Sequence, residues 1–156
     1  MKNLRTIVCV CITLCSLNAF AQKETIPVNE PDMNRPKLFA NMPEIIPISI
    51  ERLNLLMNTD LSRQVNTDLS EKSAIRLEGE VVSTATKYDN TLQSVVIRSS
   101  NFNGATLTLS RLTHPDGTTS FSGRLISFQH GDLYELKKVE DNYMLVKKNF
   151  YDLVNE

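Results

Sequence analysis

Ser127, His130 and Asp132 fall within six consecutive residues. These are the residue types of a hydrolytic triad, in which histidine takes the serine proton and a carboxylate orients the imidazole. That chemistry requires three side chains that converge in space, whereas residues straddling one tight turn point in different directions. The spacing therefore predicts a polar hairpin tip. Glu78 and Glu80 pose a second question, because residues i and i+2 of a strand share a face at about 6.5–7 Å between α-carbons. Two carboxylates at such a separation can flank a glycosidic bond. Acid–base work needs one of them desolvated, and the same pattern sets Glu80 on a solvated face opposite Arg98, which keeps it charged.

The two histidines, His114 and His130, lie in different turns, and neither has a ligand at metal-site spacing. All three cysteines (Cys9, Cys11, Cys15) sit in the first fifteen residues. No thiolate site, disulfide framework or cysteine nucleophile is expected downstream. The phosphate cradles Gly-x-Gly-x-x-Gly and Gly-x-x-x-x-Gly-Lys are absent from the sequence, so no cofactor is expected. What remains is recognition by loop tips. Asn101, Phe102 and Asn103 form one candidate contact, with an aromatic between two amides; His114 and Asp116 form another. Lys137-Lys138 and Lys147-Lys148 would lie on adjacent strands, either as a basic patch or as the lysines that blunt a sheet edge.

The residues before these are arranged as an export leader. Lys2 and Arg5 precede an apolar stretch from Ile7 to Leu17, too short to cross a bilayer, and Ala19-Phe20-Ala21 has the small-x-small form of a cleavage site. A lipid anchor on Cys15 is the competing reading, against which stands the bulky Leu14 before it. Cleavage leaves 135 of 156 residues, enough for one domain, with 15 basic against 18 acidic side chains and a net charge of −3. That balance excludes a strongly basic nucleic-acid binder. The expected location is periplasmic or extracellular.

Five of the six prolines (Pro27, Pro31, Pro36, Pro43, Pro47) fall between Gln22 and Pro47, which predicts an extended arm, residues 22–47. Leu38, Phe39, Met42, Ile45 and Ile46 would pin its second half to the domain that follows, residues 48–156. Ser49 then caps a short helix in which Ile50, Leu53, Leu56 and Met57 share one face and Ile48 staples against Leu53. Asn58 ends it. The pentapeptide Asn-Thr-Asp-Leu-Ser occurs at residues 58–62 and again at 66–70. Two copies cannot build a solenoid, and neither has the glycine and glutamate spacing of a calcium loop.

From Ser73 onward apolar residues alternate with polar ones between turn signals, predicting six strands in an antiparallel meander. Turns of three to five residues align Val81, Ile97, Leu107, Leu125, Leu136 and Val146 into one row across all six strands. Ser83, Val95, Leu109, Gly123 and Met144 flank that row on one side. Gly79, Ser99, Ala105, Ser127 and Tyr134 flank it on the other. The opposite face pairs Glu80 with Arg98 and Glu135 with Lys147, and carries Thr106, Thr108, Arg124 and Lys137. The expected architecture is mainly β (α+β): a curved sheet or small barrel whose apolar side is covered by the helix and by the tail Phe150, Tyr151, Leu153 and Val154.

A thiol-free exported meander without convergent reactive groups reads as a non-enzymatic binding domain. Its partner would be another exported protein or a cell-envelope component. A peptidase inhibitor acting through a rigid hairpin loop and a small-molecule or lipid carrier are the alternatives. An outermost strand could also extend its sheet onto a second chain, which the pattern leaves open.

Overall fold

The computed structural model describes residues 34–70 and 75–150. The expected leader with Cys15, and Pro27, Pro31, Tyr151, Leu153 and Val154, lie outside them. Eight antiparallel strands and one helix follow in chain order: β1 (Ile45–Ile48), α1 (Ile50–Met57), β2 (Gln64–Asp68), β3 (Arg76–Lys87), β4 (Leu92–Ser99), β5 (Thr106–Thr113), β6 (Thr119–Ser127), β7 (Asp132–Val139) and β8 (Asn142–Asn149). They form one sheet in the order β1-β8-β7-β6-β5-β4-β3-β2, curled into a half-barrel.

The meander is thus present, but with two more strands than the sequence pattern predicts. The end of the proline-rich arm pairs with β8, and the second Asn-Thr-Asp-Leu-Ser copy pairs with β3. Pro47 is tolerated because β1 is an edge strand, where a missing donor interrupts no central ladder. Context divides the repeated pentapeptide. The first copy stops α1, with Asn58 as its C-cap, and turns the chain with Leu61 exposed. The second enters β2 with Thr67 and Leu69 buried.

Val81, Ile97, Leu107 and Leu125 do stand opposite one another across β3 to β6. Beyond them the expected registers need correction. Leu125 faces Tyr134, two residues from the anticipated Leu136, because Phe128 belongs to the turn and not to β6. Leu136 in turn faces Leu145 and not Val146, since β7 and β8 are joined by the two residues Glu140 and Asp141. This one-residue slip reverses the faces of β8: Tyr143 and Leu145 are buried, and the expected Glu135–Lys147 pair does not exist. A bulge between Val81 and Ser83 also removes Ser83 from the row of Val95. The concave rows are therefore Val81, Ile97, Leu107, Leu125 and Tyr134, and beside them Val95, Leu109, Gly123, Leu136, Leu145 and Ile46.

Helix α1 lies over β4 and β5. Ser49 caps it as expected, its hydroxyl accepting the Arg52 N–H at 3.3 Å. Leu53, Leu56 and Met57 point into the concave side, while Ile50 is 42 % exposed and not part of the buried face. Polar ties supplement the packing. Arg111, on the concave face of β5, donates to Asn54 Oδ1 at 2.9 Å, to Asn58 Oδ1 at 3.3 Å and to Gln93 of β4. Arg52 reaches Thr67 Oγ1 of β2 at 2.7 Å. Phe150 packs edge-on against Phe128, and by register it lies on the convex side, so the start of the tail does not join the concave cover.

Candidate functional site

Successive hairpin turns of a meander alternate between the two ends of the sheet. The turns after β3, β5 and β7 lie at the end where α1 begins; those after β4 and β6 lie at the other. Asn101, Phe102 and Asn103 are therefore separated from His114 and Asp116 by the length of an eight-residue strand, about 25 Å. The two candidate tips cannot contribute to one contact. His114 and His130 are divided in the same way. Among the described residues no group of three or more His, Cys, Asp or Glu side chains is placed to hold a metal ion.

Two of the first tip's three residues have structural duties. Asn101 Oδ1 accepts the Glu78 N–H at 3.0 Å and the Ser99 hydroxyl at 2.9 Å, and its amide donates to Arg76 O at 2.6 Å. It fastens the β4–β5 turn to β3. Phe102 turns inward, edge-on to Phe39 with ring centroids 5.7 Å apart. Asn103 remains exposed. The second tip is braced from within. Asp116 Oδ1 accepts the Thr118 N–H at 2.9 Å and its hydroxyl at 2.6 Å, and His114 Nε2 lies 2.9 Å from Ser120 Oγ. The Thr118 bonds hold the Asp116 carboxyl below its ordinary pKa.

At the opposite end the arm crosses the β6–β7 turn as a clasp. Lys37 Nζ donates to the His130 and Gly131 carbonyls, both at 2.9 Å. His130 Nδ1 donates to Pro36 O at 2.8 Å, and the buried Asp132 accepts the Leu38 and Phe39 N–H groups. Tyr134 donates its hydroxyl to Pro43 O, and Lys147 Nζ reaches Met42 O at 2.7 Å and Glu44 Oε1 at 3.1 Å. Burial pushes the Tyr134 phenol up to about 12, with Glu44 and Asp132 adding to the effect. These bonds also dispose of a triad: His130 and Asp132 are both spent on the arm, and the buried Ser127 hydroxyl meets neither. A pocket of about 610 Å³ at the clasp is lined by Lys37, Asp132 and Lys147, which already serve it.

Lys147 and Lys148 lie at the clasp end of β8, whereas Lys137 and Lys138 pair with Met144 and Tyr143 near its start. Three residue steps, about 10 Å, separate the two lysine pairs, so they form no single basic patch.

A second pocket, of about 550 Å³, is a groove across β5, β6 and β7. The alternation that sends Leu107, Leu109 and Leu125 inward puts Thr106, Thr108, Ser110 and Ser122 on the convex face, with Arg124, Ile126 and Glu135 beside them. Gly123 and Leu136 complete the floor and Phe128, 47 % exposed, closes one end. Arg124 and Lys137 are like charges whose proximity the corrected register explains: both meet Glu135, at 3.7 and 3.0 Å. None of the four hydroxyl side chains makes a hydrogen bond to the described protein. Ser110, Ser122 and Phe128 are not among the candidates read from sequence. The only cue was the Thr-Leu-Thr-Leu-Ser alternation of residues 106–110. Comparison with family models, with curated proteins and with solved structures returns no match.

Proposed function

We propose that this chain is an exported, non-enzymatic binding domain that recognises another protein or a cell-envelope component through the convex groove over β5, β6 and β7. One observation carries the reading: among the described residues this concavity has hydroxyls with no structural duty, in contrast to the clasp pocket. Four free hydroxyls, an ion-paired Arg124 and Glu135 and the apolar Ile126 and Phe128 combine orienting polar groups with apolar contact area, as binding sites do. The export leader, Lys2 to Ala21, supports the location. A photo-crosslinker at Thr108, introduced in the producing cell, tests the proposal. Adducts from the exported fraction that disappear with Ser122→Arg support it; adducts no different from those of a probe at exposed Thr86 oppose it.

The inhibitor reading keeps one specific support, the internally braced turn from His114 to Thr118, in which His114 N–H donates to Thr118 O at 2.8 Å and Gly117 N–H to His114 O at 2.9 Å. A loop already rigid loses little entropy on entering a cleft. Inhibition of a secreted peptidase that is abolished by Asp116→Ala would favour it. A carrier finds less support, because Phe39, Leu53, Leu56 and Met57 fill the concave side where a ligand would be held.

A further inference from the structure

The two edges of the half-barrel differ in what they offer another strand. In β1, the Lys147 N–H donates to Glu44 O, and Ile45 stands opposite Val146, which directs the backbones of residues 44, 46 and 48 toward β8 and those of 45 and 47 outward. The outward position 47 is a proline. Over four residues this edge presents one outward donor, the Ile45 N–H, and cannot sustain a ladder.

At the other edge the Val81 N–H donates to Arg63 O and the Leu69 N–H to Ile75 O, which assigns the odd-numbered backbones of β2 to β3. Gln64, Asn66 and Asp68 therefore direct three donors and three acceptors away from the sheet. Neither proline nor lysine interrupts β2. We infer that β2 pairs antiparallel with β2 of a second copy, about a twofold axis at Asn66, so that two eight-stranded sheets become one. In that register Gln64 faces the partner's Asp68, Val65 faces Thr67 and Asn66 faces itself. Amide meets carboxylate, amide meets amide, and no like charges are directly opposed. Asn66 Oδ1 accepts from Arg76 with one lone pair, leaving the second to accept from the NH₂ group of the partner's Asn66 across the axis. Because Pro47 closes the other edge, pairing stops at two copies instead of growing into a filament.

The test uses the chain after Ala21, which contains no cysteine. Asn66→Cys places two thiols across a hydrogen-bonded pair, at about 5.5 Å between α-carbons, within reach of a disulfide. Under mild oxidation Asn66→Cys is expected to crosslink at least tenfold faster than Ile45→Cys on the β1 edge. Sedimentation of the wild-type chain between about 10 µM and 1 mM is expected to show a mass rising toward twice the monomer's. Asn66→Lys, which sets two ammonium groups face to face, should weaken this association at least tenfold with an unchanged circular dichroism spectrum. A monomer throughout that range, equal crosslinking at both edges, or a dimer indifferent to Asn66→Lys would each overturn the inference.

Discussion

The carboxylate of Asp132, in the first position of β7, accepts the backbone N–H of Phe39 at 3.2 Å, together with that of Leu38. A buried anion thus caps a segment with no ladder of its own, and the Phe39 ring is held against Phe102 and Tyr134. Hydrogen bonds to a charged acceptor contribute more than neutral ones, and leaving the two N–H groups unsatisfied adds a desolvation cost. Asp132→Ala is expected to lower the unfolding free energy by about 2–3 kcal/mol in urea denaturation. Amide exchange at residues 37–42 should accelerate more than exchange in β4 and β5. Asp132→Asn, which keeps one acceptor, should lose less.

The register of β8 is open to a paired substitution. Leu145 is buried opposite Leu136, while its neighbour Val146 points to the convex side and is half-buried. Leu145→Ala should cost about 2–5 kcal/mol, the usual loss for a leucine removed from a packed core. Val146→Ala should cost well under half of that. Thermal denaturation of the two variants side by side decides it, and the register expected from sequence demands the reverse order.

How far the fold was legible depended on how the turns announced themselves. Tyr88-Asp89-Asn90, Asn101 to Gly104 and Pro115-Asp116-Gly117 carry residues that accept turn conformations, and the pairings of β4 with β5 and β5 with β6 follow from them without change. The β7–β8 turn is marked by Glu140-Asp141-Asn142, which reads as three residues, whereas Asn142 already opens β8. Glu140 adopts φ 55°, where asparagine or glycine is usual, so a two-residue loop was not indicated. Phe128 misled in another way, since an apolar residue after Ser127 continues the alternation of β6 although it packs on Phe150 outside the strand. The groove, built from β5, β6 and β7, is affected by the shift between β6 and β7 alone. Its hydroxyls were visible as an alternating pattern, but Arg124 and Glu135 come face to face only in the two-residue-shifted pairing of β6 with β7.

Two glycines mark places where neighbouring strands leave no room for a side chain. A Cβ on Gly79 would lie 2.3 Å from Arg98 O, and one on Gly123 would lie 2.5 Å from Thr108 O and 2.6 Å from Leu109 Cδ2. Backbone cannot retreat as a flexible side chain can. Gly79→Ala and Gly123→Ala should each destabilise the fold by about 1–3 kcal/mol through overpacking. Gly117 sits in open space but at φ 81°, so Gly117→Ala should show a smaller loss, from backbone strain alone. Urea midpoints at equal slope would order the three.

Tyr134 gives the fold an alkaline limit. Its phenol is raised from 10.0 to about 12, first by burial and then by the carboxylates of Glu44 and Asp132. A folded-state pKa above the unfolded value favours the protonated native form. The associated stability is therefore fully present below pH 10 and is lost as pH rises from about 10 to 12, because the unfolded chain releases the proton first. Unfolding midpoints of the wild-type chain should fall more steeply over that interval than those of Tyr134→Phe. At pH 7 the variant should be weaker by about 1 kcal/mol, for its missing bond to Pro43 O. The two stability curves should converge as pH rises; parallel curves would mean that the phenol ionises equally in both states and that burial at the clasp does not govern it.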